Sequence, residues 1–228
     1  MVPLREVPVA LILAPAGKID DVPRLIEAGA DRVYLGIRGH SREGVRGSVS
    51  LDEITRGIDE GVLPPERIDV ALNTVPDDGG KECLSLIEKV ISAGIKRVIL
   101  NDPGLIAEAG KRFPRLFITA SVGLSVTWDG TARFLEEAGA RGVVLPTCAG
   151  PDLVRRIKAI SSLAVEVFLY CREDPSSTGP APFPVTCSKE GRGRKRRQRR
   201  GRGHASPSAG GWLSRPLPTT SREHWGCG

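Results

Sequence analysis

Three phrases of one form recur along the chain: Glu27-Ala28-Gly29-Ala30-Asp31-Arg32-Val33-Tyr34-Leu35-Gly36, then SAGIKRVILN (92–101) and EAGARGVVLP (137–146). In each phrase a glycine closes an amphipathic segment, and a short apolar run follows within a few residues. A glycine in this place is typical of a helix C-terminus, where the backbone turns left-handed. A short run that is apolar on both faces indicates a buried parallel strand. Each phrase therefore predicts a helix end, a glycine cap and a strand.

The same alternation of strand and helix continues on both sides of these phrases. Such alternation predicts a parallel sheet with right-handed crossovers. A doubly wound open sheet is the alternative, but the even repetition and the absence of a Gly-rich phosphate fingerprint favour a TIM-barrel-like (β/α) barrel. About seven strands are visible where such a barrel has eight, so we predict an incomplete barrel. The predicted strands are 9–14, 32–36, 68–72, 97–100, 116–120, 142–145 and 165–169, and the predicted helices are 19–28, 52–60, 81–93, 105–112, 128–138 and 151–160.

The basic charge of the chain is concentrated at its C-terminal end. The 228 residues carry a formal net charge of +6, and residues 171–228 contain 12 Lys and Arg against 4 Asp and Glu. The body before them is therefore close to neutral. From residue 172 onward the sequence is rich in Pro, Gly, Ser and Arg and has no apolar periodicity, which predicts disorder. We predict a β/α barrel domain over 1–171 and a disordered Arg/Gly/Pro/Ser-rich tail over 172–228.

The densest part of this tail is GRGRKRRQRRGRG (191–203), which predicts non-specific, salt-dependent contact with nucleic-acid backbones. Two interpretations of the tail stay open: a genuine basic tail, or translation of a GC-rich gene in a shifted frame. No apolar run is long enough to span a membrane and no signal peptide is recognisable, so we expect no membrane contact and a cytoplasmic location. The five cysteines are irregularly spaced and predict neither a disulfide framework nor a metal site: Cys83, Cys148, Cys171, Cys187 and Cys227.

Polar residues follow several of the predicted strands, and in a parallel barrel such residues meet at one mouth. Among them Asp102 is a candidate acid or base, Ser121 a candidate nucleophile and His40 a candidate base, although His40 has no obvious carboxylate partner in the sequence. Five further residues are candidates for substrate binding: Ala16, Gly17, Arg38, Asn73 and Asn101.

Each of these candidates also has a purely structural interpretation. Asp102 can begin the turn Asp-Pro-Gly or cap the helix that follows. Ala16 and Gly17 can form a tight strand-to-helix turn, or they can let backbone amides approach an anion. Arg38 and His40 can bind an anionic substrate or lie in a solvated glycine-rich loop. A Ser–His–Asp triad built from the three catalytic candidates has no further support in the sequence.

Five phrases, taken in order, resemble the peptidase U32 (collagenase-like) family: LAPAG (13–17), GADRVYLG (29–36), NDPGL (101–105), GARGVVLP (139–146) and EVF (166–168). The resemblance implies a barrel-like enzyme with its ligand site at the C-terminal ends of the strands. It implies collagenase-like peptidase (hydrolase, protease) activity, or else a part in the hydroxylation of tRNA, rRNA or ubiquinone precursors. The implied substrate is accordingly a peptide, an RNA or a small molecule.

The chain departs from the pattern of that family after three strands. Thr147 and Cys148 stand where the family has Arg-Glu, and Gly123 stands where it has Gln. After EVF the family's glycine and cysteine segment is replaced by Tyr170-Cys171-Arg172. Some family members carry an iron–sulfur cluster; its cysteine motif is absent here, so we predict no cofactor, and a cluster stays open as the alternative that the resemblance implies. An inactive, truncated remnant of the family is therefore a further alternative.

Overall fold

A computed structural model describes residues 10–44, 47–74 and 80–170 of the chain. Strands and helices alternate through these ranges. The strands are β1 (Leu13–Ala16), β2 (Arg32–Ile37), β3 (Ser48–Val49), β4 (Ile68–Leu72), β5 (Arg97–Leu100), β6 (Phe117–Ala120), β7 (Gly142–Val144) and β8 (Ala164–Glu166). The helices are α1 (Asp21–Glu27), α2 (Leu51–Asp59), α3 (Lys81–Ser92), α4 (Pro103–Arg112), α5 (Asp129–Glu137) and α6 (Pro151–Ile160).

Seven of the strands form one parallel sheet in the order β1-β2-β4-β5-β6-β7-β8. This order follows the sequence without reversal, which excludes the doubly wound alternative, since that architecture changes direction within the sheet. The sheet curls into a half-barrel with the helices between successive strands, and the predicted TIM-barrel-like fold is confirmed. Within the described ranges no strand joins β8 to β1.

The short strand β3 was not predicted, because it consists of two residues inside a glycine-rich connection. It pairs with the end of β2 through Gly36 with Ser48 and Ile37 with Val49. This pairing folds the connection after β2 back across the edge of the sheet. The same connection carries several candidate functional residues, so β3 determines where they lie.

The repeated glycines have the backbone geometry that the sequence predicts. The φ angles of Gly29, Gly94 and Gly139 are 106°, 89° and 110°. Residues with a Cβ rarely adopt this left-handed region, so glycine allows each helix to stop and the next strand to begin. Helix α2 begins at a capping box in which the Ser50 side chain accepts from the Glu53 amide and the Glu53 side chain accepts from the Ser50 amide.

The apolar core lies between the outer face of the sheet and the helices. Alternate strand residues such as Val33, Leu35 and Val70 are completely buried, as are Ile87 and Val90 on one stripe of α3. Side chains alternate between the two faces of a strand, so the residues between these positions point to the concave, inner face of the half-barrel.

The inner face is charged near the N-terminal ends of the strands, where the sequence suggests an apolar surface. Asp69 in β4 is 2% exposed and pairs with arginines from the two neighbouring strands. The Arg32 Nε donates to Asp69 Oδ1 at 2.7 Å, and the Arg97 Nε donates to Asp69 Oδ2 at 3.1 Å. The Arg97 guanidinium also lies 3.5 Å from the centroid of the Phe117 ring. The apolar expectation is therefore wrong for this end of the inner face.

No helix in the described part of the chain is long and apolar enough to cross a membrane. The predicted tail 172–228 lies outside the described residues, as do the basic run 191–203 within it and Cys171, Cys187 and Cys227, so the predictions for these residues are not tested by the fold.

Candidate functional site

The candidate site is the mouth formed by the C-terminal ends of the parallel strands. Gly17 follows β1, Arg38 follows β2, Asn73 follows β4, Asn101 follows β5 and Ser121 follows β6. Because all these strands are parallel neighbours, the five residues lie along one edge of the sheet. The topology therefore places four of the predicted binding residues and the predicted nucleophile Ser121 along the same mouth.

Asn73 anchors the connection after β2. Its Oδ1 accepts the Arg42 amide at 2.9 Å, and the Thr74 amide donates to the His40 carbonyl at 3.1 Å. Asn73 is 8% exposed, so these bonds are shielded from solvent. The connection is consequently held over the ends of β2 and β4. The candidate binding residue Asn73 therefore stabilises this connection.

His40 has partners that its sequence neighbourhood does not reveal. Its Nε2 lies 3.3 Å from Glu82 Oε1, and its Nδ1 lies 3.9 Å from the Cys83 sulfur. Both partners come from the first turn of α3, so the imidazole joins the connection after β2 to that helix. Cys83 is buried, as its place on the apolar stripe of α3 predicts.

Asp102 caps helix α4, which is the structural interpretation of its Asp-Pro-Gly turn. Its Oδ1 accepts the Leu105 amide at 2.7 Å. Ser121 is 2% exposed, and its amide donates to the Leu100 carbonyl at 2.8 Å. Among the described residues no hydrogen bond joins Ser121, His40 and Asp102, so this geometry lends the triad no support.

A cleft of about 440 Å³ opens beside the β1 end of the mouth, in the size range of small-ligand sites. Gly17 and Arg38 line it, while Ala16 is buried in the core at 5% exposure. The Arg38 guanidinium lies 3.1 Å from Glu53 Oε2. Hydrogen bonds from the backbone and side chain of Ser50 hold the pKa of Glu53 below its ordinary value, and the charge of Arg38 adds to this.

The lining of this cleft carries both signs of charge. An anion would meet carboxylates as well as cations there. The cleft therefore offers space and hydrogen-bonding groups rather than a strongly positive field. Its charged lining residues are Lys18, Asp20, Arg38, Glu53, Arg56 and Glu60.

Three polar residues at the mouth each have a buried oxygen without a hydrogen-bond partner in the described structure. The sequence predicts a binding role for only one of the three. They are Ser41 and Glu43, in the connection after β2, and the predicted binding residue Asn101. A Cβ placed on Gly123 would lie 2.2 Å from Asn101 Oδ1, so glycine at that position leaves room for the amide. The departure from the family pattern at Gly123 thus has a steric consequence at the mouth.

The sequence also gives no indication that the pKa of Glu166, the first residue of the EVF phrase, is shifted. This residue ends β8, and burial, followed by the negative charge of Asp69, raises its pKa to about 7, while Arg97 acts in the opposite direction. A carboxyl that titrates near neutral pH is typical of functional sites and of buried charge networks alike. The charges that act on its pKa are those of Asp69 and Arg97, near the N-terminal ends of their strands, which associates Glu166 with a buried charge network rather than with the mouth.

The cysteines within the described structure do not fit an iron–sulfur cluster. Cys83 is buried against His40, and Cys148 is exposed beyond β7. Clusters of this kind are usually held by four cysteine thiolates, and in the described ranges no group of three or more His, Cys, Asp or Glu is arranged to hold a metal ion. We therefore derive no chemistry from a cluster.

Comparison with known proteins gives one family match. A model described as peptidase family U32 matches residues 17–172. The tRNA hydroxylation protein P of Escherichia coli (strain K12) is 24% identical over 161 residues, which cover 70% of this chain and 36% of that protein. The 23S rRNA 5-hydroxycytidine C2501 synthase of the same organism is 26% identical over 160 residues, covering 70% of this chain and 24% of that protein. The chain spans about a third or less of these relatives.

Solved structures share the fold at low sequence identity. The U32 peptidase Mk0906 superposes with a TM-score of 0.55 and 14% identity, covering 72% of this chain and 70% of that one. A tryptophan synthase structure from M. tuberculosis gives a TM-score of 0.51 and 20% identity, covering 72% of this chain and 76% of that one. At these identities the likeness extends to the architecture alone.

Proposed function

The chain belongs to peptidase family U32, and from that premise we propose that its strand-end mouth binds RNA as part of a nucleoside hydroxylation system. The observation that carries this proposal is the set of relatives. Proteins named for the hydroxylation of tRNA and rRNA match the chain over 70% of its length. A role on RNA would place the chain in the cytoplasm.

The chemistry of the mouth is consistent with binding and orienting a nucleoside. Its buried groups are amides, a hydroxyl and carbonyls, with Asn73, Asn101 and Ser121 at the ends of three neighbouring strands. Such groups read hydrogen-bond donors and acceptors on a base that has left its stack. The basic run 191–203 would add sequence-independent attraction to the phosphate backbone.

Peptidase activity is the second candidate and rests on the family name. It requires an activated nucleophile or a metal-bound water. His40 is engaged with Glu82 and Cys83, and Asp102 with the first turn of α4. These engagements favour the RNA role over a Ser121-based hydrolysis. Peptidase activity therefore stays a prediction, tested by cleavage of a collagen-derived peptide with Ser121→Ala as the control.

The proposed function is tested by expression in an Escherichia coli strain that lacks the tRNA hydroxylation protein P. Digested tRNA is analysed for hydroxylated nucleosides by liquid chromatography and mass spectrometry. We expect the wild-type chain to restore them and Asn101→Ala to restore less. The exposed α4 variant Glu108→Gln is the matched control and should behave as wild type.

Two outcomes limit or reject this proposal. If hydroxylation is not restored but the purified chain binds tRNA, its role is binding alone, with the chemistry supplied by parts found in its longer relatives. If the chain neither restores hydroxylation nor binds tRNA, the proposed function is wrong. Cleavage of the collagen-derived peptide would then favour the peptidase.

A further inference from the structure

The connection after β2 contains the strongest unexplained feature of the described structure. Ser41 Oγ and Glu43 Oε2 are both buried there without a hydrogen-bond partner among the described residues. Ser41 as a whole is 7% exposed. Buried polar atoms are nearly always paired, because an unpaired one loses its hydration without compensation. Two such atoms, two residues apart, indicate a place where a bound group completes the hydrogen bonding.

Both atoms converge on one point above Gly36. A Cβ added to Gly36 would lie 2.3 Å from Ser41 Oγ and 3.2 Å from Glu43 Oε2. Gly36 faces the inner side of the half-barrel at the end of β2, where it pairs with Ser48 of β3. Glycine at this position is therefore what allows the two polar side chains to enter the mouth.

The segment that carries these side chains is held in place through its backbone, and the Gly44 carbonyl at its end accepts the Ser48 hydroxyl at 2.6 Å. The amide of Arg42 is held by Asn73, and the His40 carbonyl accepts the Thr74 amide. Gly39 and Gly44, which bracket the segment, have φ angles of 84° and 67° with open space around them. Rotation of the Ser41 and Glu43 side chains, with these backbone hydrogen bonds kept, would expose both oxygens to a ligand.

We propose that Ser41 and Glu43 recognise the Watson–Crick edge of an unstacked nucleobase. A carboxyl oxygen accepts an N–H from the base, while the neighbouring hydroxyl either donates or accepts. The Watson–Crick edge of a nucleobase presents this combination, with an N–H donor beside a carbonyl or ring-nitrogen acceptor. A guanidinium or amine group offers donors alone and supplies no acceptor for the serine proton.

This inference rests on the proposed function for its substrate class, and it deepens that function by naming the groups that read the base. Ser41 and Glu43 would act as binding residues that touch the substrate. Among the described residues neither Ser41 Oγ nor Glu43 Oε2 forms a hydrogen bond that holds the fold together, so substitution of these residues should separate binding from stability.

The test uses the full chain with uridine and cytidine as probes, titrated by saturation-transfer NMR, and with argininamide as the competing donor-only probe. We expect Glu43→Gln and Ser41→Ala each to weaken nucleoside binding, Glu43→Gln by about tenfold or more, since it replaces an acceptor of an N–H bond. Glu108→Gln, an exposed carboxyl on α4, should bind as wild type. Melting temperatures are recorded for all variants, and that of Glu43→Gln should equal or exceed that of the wild type.

Several outcomes would overturn the inference. They are the absence of nucleoside binding by the wild-type chain, binding that Glu43→Gln leaves unchanged, preferential binding of argininamide, or a melting temperature for Glu43→Gln several degrees below that of the wild type. Failure here and failure of the proposed function are distinguishable. Glu43-dependent nucleoside binding without restored hydroxylation supports this site alone, whereas hydroxylation restored equally by wild type and Glu43→Gln supports the function alone.

Discussion

Replacing Glu166 by glutamine is expected to remove a pH-dependent loss of stability. The pKa of Glu166 rises from 4.5 to about 7 in the folded chain, mainly through burial and then through the charge of Asp69. In the unfolded chain the carboxyl is hydrated and keeps its ordinary value. As the pH increases from about 4.5, the unfolded state releases its proton first, so the free energy of unfolding falls until the folded carboxyl also ionises near pH 7.

The size of this loss follows from the two pKa values. Each pKa unit corresponds to about 1.4 kcal/mol, so the difference between 4.5 and about 7 amounts to roughly 3 kcal/mol. For a domain of this size that is a change in melting temperature of roughly 6 to 12 °C. Glu166→Gln should therefore match the wild type at acidic pH and exceed it in stability above neutral pH.

The assay is urea denaturation of wild type and Glu166→Gln at closely spaced pH values from acid to mildly alkaline. The difference between the two free energies should be near zero at acidic pH, grow through the interval and level off above neutral pH. Glu108→Gln controls for the loss of an exposed carboxyl. A Glu166→Gln difference that is independent of pH, or that grows toward acid, would refute the assignment of Glu166 to a buried, charge-flanked position.

Substitutions at three further positions test separate parts of the structure. Asp69→Asn leaves its two arginine partners without a counter-charge and should cost about 3 kcal/mol in urea denaturation; a loss below about 1 kcal/mol would contradict the buried pairing. Asp102→Ala removes the cap of α4 and should cost about 1 kcal/mol of unfolding free energy, whereas Asp102→Asn can still cap the helix and should keep that stability. If Asp102→Asn keeps its stability but loses hydroxylation, the carboxyl has a chemical role instead. Ile87→Ala should cost about 2–5 kcal/mol, and a melting temperature equal to the wild type would argue against the packing of α3 on the sheet.

The parallel sheet could be predicted because local signals agree with each other along the chain. Gly29, Gly94 and Gly139 each end a helix at a left-handed φ, and each is followed at a fixed distance by a strand. Three predicted elements have the observed bounds: Ile68–Leu72, Arg97–Leu100 and Pro151–Ile160. Periodicity and caps are local properties, so they are visible without the tertiary structure.

The composition of the inner face and of the mouth could not be predicted in the same way. In the sequence Asp69 is one polar residue within an apolar run. Its ion pairs with Arg32 and Arg97 form only because the register of three strands brings these residues together. Likewise the contacts of His40 with α3 join residues about 40 positions apart. Long-range pairing leaves no period in the sequence, so neither the partners of His40 nor the burial of Ser41 and Glu43 can be predicted from it.

The central claim, that the strand-end mouth contacts RNA, is tested most directly by photo-crosslinking the full chain to tRNA that contains 4-thiouridine, with the crosslinked peptides identified by mass spectrometry. We predict crosslinks in the connections after β2, β4, β5 and β6, and their loss when unmodified tRNA competes. Crosslinks confined to the basic run 191–203, or to the N-terminal ends of the strands around Arg32 and Arg97, would contradict the claim.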